Sequence, residues 1–159
     1  MRALAVLLAT GIYVGYIPFA PGPAGSLLGL IMVTAARSVG VWGLEIGCLV
    51  ASVFIGVWSA GVAERHFQRK DPGPIVIDEV VGMGITLLGI PVSWPGMVVG
   101  FLAFRFFDVV KPFPARWAER LPGGWGVVTD DVVAALYGNI VVRVFGWALP
   151  TLMLSAARS

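Results

Sequence analysis

The chain has 159 residues, the length of one domain, and 58% of them are hydrophobic while only 13% are charged. Soluble domains run to roughly 45–50% apolar and about 25% charged residues, so the composition points to an integral membrane protein. The net charge of +2 is too small for a nucleic-acid binder and suits an anionic lipid surface. The single cysteine, Cys48, excludes an internal disulfide and a cysteine metal cluster, and within its apolar run it reads as a small core residue.

Residues 1–19 carry Arg2 and then an apolar run with no small-x-small cleavage site before Pro18, which reads as a retained short or interfacial membrane segment. Residues 20–29 contain two prolines and three glycines and read as a loop or broken helix entry. The apolar stretch that follows, to Ala36, is shorter than the ~20 residues of a full span and suits a re-entrant half helix. Residues 39–63 form a clear span interrupted only by Glu45, followed by a polar loop with Arg65, His66, Arg69 and Lys70. Residues 75–90 and 97–110 are the next apolar runs, joined by an uncharged turn at 91–96. Residues 112–129 read as a loop, and Asp130-Asp131 open the last apolar run, which reaches Leu154. The expected fold is an all-α integral membrane protein of a single domain, 1–159. It is a small helical bundle of about four spans with a short or re-entrant N-terminal segment.

Basic residues set the orientation. Arg65, Arg69, Lys70, Lys111, Arg116 and Arg120 fall in two loops, and the turn between them at 91–96 has none. The positive-inside rule places both basic loops in the cytoplasm, with Arg37 alone on the wrong side. All acidic residues except Glu45 then gather at or next to cytoplasmic helix ends: Glu64, Asp71, Asp78, Glu79, Asp108, Glu119, Asp130 and Asp131.

Several carboxylates without a histidine or cysteine cluster suit a hard cation, Mg²⁺ above all, which is commonly shared with phosphates. Asp78 and Glu79 are neighbours and point about 100° apart on a helix, so neither completes a site alone. Asp130 and Asp131 suit either a metal site or simple capping of a helix N-terminus. Arg105, Asp108 and Lys111 recur at i, i+3, i+6, either as an ion-pair ladder or as one metal carboxylate flanked by two phosphate-binding cations. Ser26 and the backbone of the Pro/Gly stretch offer donors to an anion. Together these features point to metal-assisted phosphoryl chemistry at the cytoplasmic face of a membrane. The single histidine, His66, excludes a two-histidine phosphatase, and no Gly-x-x-x-x-Gly-Lys-Ser/Thr loop is present.

Four stretches in order resemble the phosphatidylglycerophosphatase A family. They are Ala20-Pro21-Gly22 with Gly25-Ser26-Leu27; Asp71-Pro72 with Ile75-Val76-Ile77-Asp78-Glu79-Val80-Val81-Gly82; Phe104-Arg105-Phe106-Phe107-Asp108-Val109-Val110-Lys111-Pro112-Phe113-Pro114; and Gly124-x-Gly126-Val127 with Asp130-Asp131-Val132-x-Ala134. The family usually has Thr after Ala-Pro-Gly, and here the residue is Pro23. The resemblance implies a multi-pass enzyme of the bacterial inner membrane, with its active site facing the cytoplasm. It would be Mg²⁺-dependent and would hydrolyse the terminal phosphate of phosphatidylglycerophosphate to give phosphatidylglycerol.

On this reading Asp78, Glu79, Asp108, Asp130 and Asp131 bind metal, with Asp78, Glu79 and Asp131 catalytic. Arg105, Lys111, Ser26 and Lys70 bind substrate, and Glu64 and Asp71 stand behind them. The partners are an anionic phospholipid substrate and membrane lipids, with no nucleic acid and the oligomeric state open. The alternative from another class is a small cation or proton transporter, which needs carboxylates near the bilayer midplane.

Overall fold

The computed structural model describes residues 1–154, and the described residues form helices with no strand among them. The last five residues of the expected 1–159 domain lie outside this range. Helix α1 (Arg2–Ala9) is followed by a left-handed turn at Ile12 and Tyr13 and a single 3-10 turn, Val14–Tyr16. Helix α2 (Pro21–Ser38) starts inside the stretch expected to be a loop or a helix entry, and the helix entry is what forms. Pro21 and Pro23 both sit in its first turn, where a missing N–H costs no helical bond and the fixed φ already suits a helix. Helix α3 (Trp42–Phe67) stops at Gln68, whose left-handed backbone donates its N–H to the Glu64 carbonyl.

Helix α4 (Ile77–Leu87) is short, and nine of its eleven residues are buried, so it is the central element. It packs against α2, α3, α5 (Trp94–Val110) and α7 (Gly124–Ala148). Ser93 caps α5 by accepting the Gly96 N–H, and left-handed Lys111 ends it. The short helices α6 (Ala115–Ala118) and α8 (Pro150–Met153) flank α7. Helix α7 therefore begins well before Asp130, inside the expected 112–129 loop. Gly82 lets α5 approach α4: a Cβ there would lie 2.5 Å from the Phe104 ring.

The C-terminal end of α4 is held by side chains from its neighbours. The Asn139 amide of α7 donates to the carbonyls of Ile85, Thr86 and Leu88 at 3.0–3.1 Å. Arg143 adds a bond to Leu88, and Arg37 of α2 reaches the Leu87 and Ile90 carbonyls. These bonds satisfy carbonyls that a helix end leaves without an intrahelical partner.

Arg37 also pairs with Glu45 at 2.8 Å. Two expectations change as a result. Arg37 is not a stray loop cation but a cap for α4, and Glu45 is not deep in a span but in the first turn of α3, beside it. Cys48 is exposed on α3 rather than a core residue.

The all-α class is as expected. By length and composition, one helix among the described residues, Gly43–Phe67, is apolar enough to cross a membrane.

Candidate active site

The Asp71–Pro74 linker delivers the chain to α4, and the Val76 N–H is tied to the Ala9 carbonyl at 2.9 Å. The first turn of α4 therefore carries Asp78 and Glu79 at a fixed position, facing the N-terminal part of α2, the C-terminal part of α5 and the first half of α7. The four helices enclose a cavity of about 420 Å³. Its walls include Asp71, Asp78, Glu79, Arg105, Asp108, Lys111, Asp130 and Asp131, with Phe19 to Pro23 along one side. Gly22 makes the closest approach: a Cβ on it would lie 2.7 Å from both Glu79 Oε1 and Arg105 Nη2.

The five acidic residues expected to bind metal fall into two groups. Asp78, Glu79 and Asp131 bring one carboxylate oxygen each to within 4.8 Å of one another. The 100° between neighbouring side chains of α4 thus does not keep Asp78 and Glu79 apart, because Asp131 of α7 meets both. Asp108 is instead held by Arg105 at 2.9 Å, and Asp130 by Lys111 at 2.6 Å. Arg105 also lies 3.7 Å from Glu79, and Lys111 3.5 Å from Glu119. Asp130 and Asp131 are the seventh and eighth residues of α7 and are buried, so capping of its N-terminus is not their role.

Four buried oxygens in this cavity have no hydrogen-bond partner: Asp78 Oδ1, Glu79 Oε2, Asp130 Oδ1 and Asp131 Oδ2. Buried acceptors are normally satisfied, and buried charge is normally paired. Four such oxygens in one place need a cation or protons. The donor set is all oxygen, which suits a hard divalent cation. Burial by itself would lower the pKa of Lys111, but its hydrogen bond to Asp130 and the charges of Asp130 and Glu119 outweigh this and raise it, so the ammonium is fixed as a cation.

Ser26 is fully buried and does not line the cavity. Its hydroxyl donates to the Gly22 carbonyl and accepts from Arg105 at 3.5 Å, so it supports the arginine from behind the cavity wall. Lys70 lies outside the cavity with its ammonium on the Glu119 carbonyl at 2.6 Å. Glu64 accepts the Asp71 N–H and fixes the loop from behind. Gly22 was named in the sequence only as part of a donor loop. Its need for zero side-chain volume depends on which helices cross there, and no local pattern reports that.

A model of the phosphatidylglycerophosphatase A family matches residues 7–146. The chain belongs to this family. It is 40% identical over 140 residues to phosphatidylglycerophosphatase A of Haemophilus influenzae, covering 86% of this chain and 85% of the relative. It is 34% identical over 151 residues to phosphatidylglycerophosphatase A of Escherichia coli, covering 94% and 87%. It is also 38% identical over 154 residues to a Bacteroides thetaiotaomicron protein provisionally named a phosphatidylinositol-3-phosphatase, covering 92% and 96%. No solved structure matches the chain. As a member of this family the chain is a phosphatase, and the carboxylate-rich cavity is where its sequence resemblance and its buried charge coincide.

Proposed function

We propose that the protein is a Mg²⁺-dependent lipid phosphatase that converts phosphatidylglycerophosphate to phosphatidylglycerol at the cytoplasmic face of the membrane. The observation that carries the reading is the cavity of unpartnered carboxylate oxygens faced by Arg105 and Lys111, in a chain of this family. Asp78, Glu79 and Asp131 would hold the cation, with Asp108 and Asp130 in reserve on their arginine and lysine. A divalent cation bound there would neutralise charge on the phosphate and acidify a water molecule.

The protein's own groups do the rest. Arg105 and Lys111 attract and orient the phosphate by charge-assisted hydrogen bonds. Gly22 leaves room for the phosphate beside Arg105. Asp130 has one oxygen held by Lys111 and one free, so it can orient the attacking water and accept its proton at Oδ1.

A membrane setting is supported by the outer surface. Large apolar side chains stand exposed on several helices, among them Ile31 of α2, Phe54 of α3, Leu102 and Phe106 of α5, and Ile140 and Phe145 of α7. Monomeric soluble proteins rarely expose so much contiguous apolar surface. Helix α4, roughly 16 Å long, reaches only halfway across a ~30 Å hydrocarbon layer. The side-chain bonds at its C-terminus are what such a helix end needs at depth. Arg65, Arg69, Lys70, Arg116 and Arg120 lie at the cavity end of the molecule, as a cytoplasmic face requires. The four spans, the cytoplasmic orientation and the bacterial inner membrane belong to this proposal.

The transporter reading gains nothing from the structure: Glu45, the acidic residue set apart at the opposite end from the cavity, is paired with Arg37. Replacing Asp78 or Asp131 by Asn tests the assignment. Each variant should lose at least about 10²-fold in phosphate release, the scale of removing one electrostatic contact to a reacting group. Wild-type rates in both would remove these residues from the site. Phosphatidylinositol 3-phosphate is the comparison substrate because of the Bacteroides relative. Preference for it would keep the phosphatase and change the lipid.

A further inference from the structure

Beside the acidic cavity lies a second groove, of about 530 Å³, lined by Val110, Lys111, Pro112, Phe113, Arg116, Trp117 and Arg120. Lys111 lines both spaces, so the two are neighbours through one side chain. The chemistry of the second groove differs from the first. It holds no carboxylate among its lining residues. Arg116 donates to the Val110 carbonyl at 3.2 Å, which places its guanidinium next to the backbone of Lys111. Among the described residues neither Arg116 nor Arg120 is ion-paired, unlike Arg105 and Lys111. Phe113 and Trp117 stand out from the same groove at 83% and 61% exposure.

Two unpaired arginines and two exposed aromatic rings form a surface that takes an anion bearing an apolar tail. Arginine binds phosphate through its planar fork of donors, and aromatic residues sit well at the headgroup level of a bilayer. We propose that this groove is the subsite for the diester phosphate of the lipid, one glycerol away from the monoester phosphate in the acidic cavity. Arg116 and Arg120 hold the diester, and Phe113 and Trp117 lie against the glycerol and upper acyl chains. The inference rests on the lipid-phosphatase reading. It adds the side chains, Arg116 and Arg120, by which a lipid carrying two phosphates is told from phosphatidic acid, which carries only the monoester.

The test compares kcat/KM for phosphatidylglycerophosphate and for phosphatidic acid of the same chains, in the same neutral detergent micelles. The wild type should favour the first. In the double variant Arg116→Gln, Arg120→Gln the ratio should fall about tenfold, through KM, because charge-assisted bonds to one substrate only are lost. Lysine at both positions should restore part of the preference. Arg69→Gln, a cation on the same face but outside the groove, should leave the ratio as it was.

An unchanged ratio in the double variant, or an equal fall for both lipids, overturns the subsite. A second measurement needs no variant. Phosphatidylglycerol, which keeps the diester, should inhibit the wild type competitively, whereas diacylglycerol of the same chains should not; equal inhibition by both also overturns the subsite. If the wild type releases phosphate from neither lipid, the lipid-phosphatase reading itself falls, and the subsite with it.

Discussion

Asp78, Glu79 and Asp131 are buried together with unpartnered oxygens, and this has two opposite effects. Without a cation the charges repel and are poorly solvated, so the cluster is a stability cost; with a cation the same oxygens become ligands. Asp78→Asn and Asp131→Asn should therefore raise the melting temperature of the metal-free protein while removing activity. Addition of Mg²⁺ should raise the melting temperature of the wild type and have little effect on either variant, since a ligand stabilises only the state that binds it. Thermal unfolding in detergent, with and without chelator, reads both effects. At Gly22 the tolerance is steric. Gly22→Ala places a methyl group against the ends of Glu79 and Arg105, which can swing aside, so the protein should stay folded but lose roughly tenfold in rate from a displaced phosphate contact. A steady-state assay on the folded variant checks this.

Among the elements, α4 is the helix that delivers Asp78 and Glu79, and its far end is where it is anchored. Asn139→Ala leaves the Thr86 carbonyl without its donor and the Ile85 and Leu88 carbonyls with one bond fewer, and should cost about 1–3 kcal/mol, the range for a buried polar group left unpaired. The loss would appear as a lower melting temperature, together with reduced activity, since Asp78 and Glu79 ride on the same eleven residues. Gly82→Ala pushes against the Phe104 ring and should cost about 1–3 kcal/mol of overpacking. The helical class and the apolar runs were legible because hydrophobic stretches and charge gaps are local properties. The start of α7 was not, and that of α2 was legible only as one of two alternatives. Pro21-Gly22-Pro23 and Gly123-Gly124 have the composition of turns, yet proline is at home in a first helical turn and Gly124 is needed where α3 approaches: a Cβ there would meet the Val57 carbonyl of α3. The role of Arg37 was invisible because its partners lie on α3 and at and beyond the end of α4.

For the whole molecule, the two ends differ in character. One end gathers the carboxylates, Arg105 and Lys111 within a rim of further cations; the other pairs Arg37 with Glu45 and closes on the end of α4. Between them stands the exposed apolar surface. The candidate carboxylates were legible from the sequence as a set, because charge is rare in this chain. Their division was not. The gathering of Asp78, Glu79 and Asp131, with Asp108 and Asp130 on the closer cations, depends on helix crossings that spacing along the chain does not encode. We propose that these groups form one Mg²⁺-dependent site for a phosphorylated lipid. It is tested most directly by phosphate release from phosphatidylglycerophosphate by the purified protein, with Mg²⁺ and with chelator. Phosphate should be released with Mg²⁺, not in chelator, and again once the cation is returned. Release at the same rate in chelator, or no release with Mg²⁺ present, would contradict it.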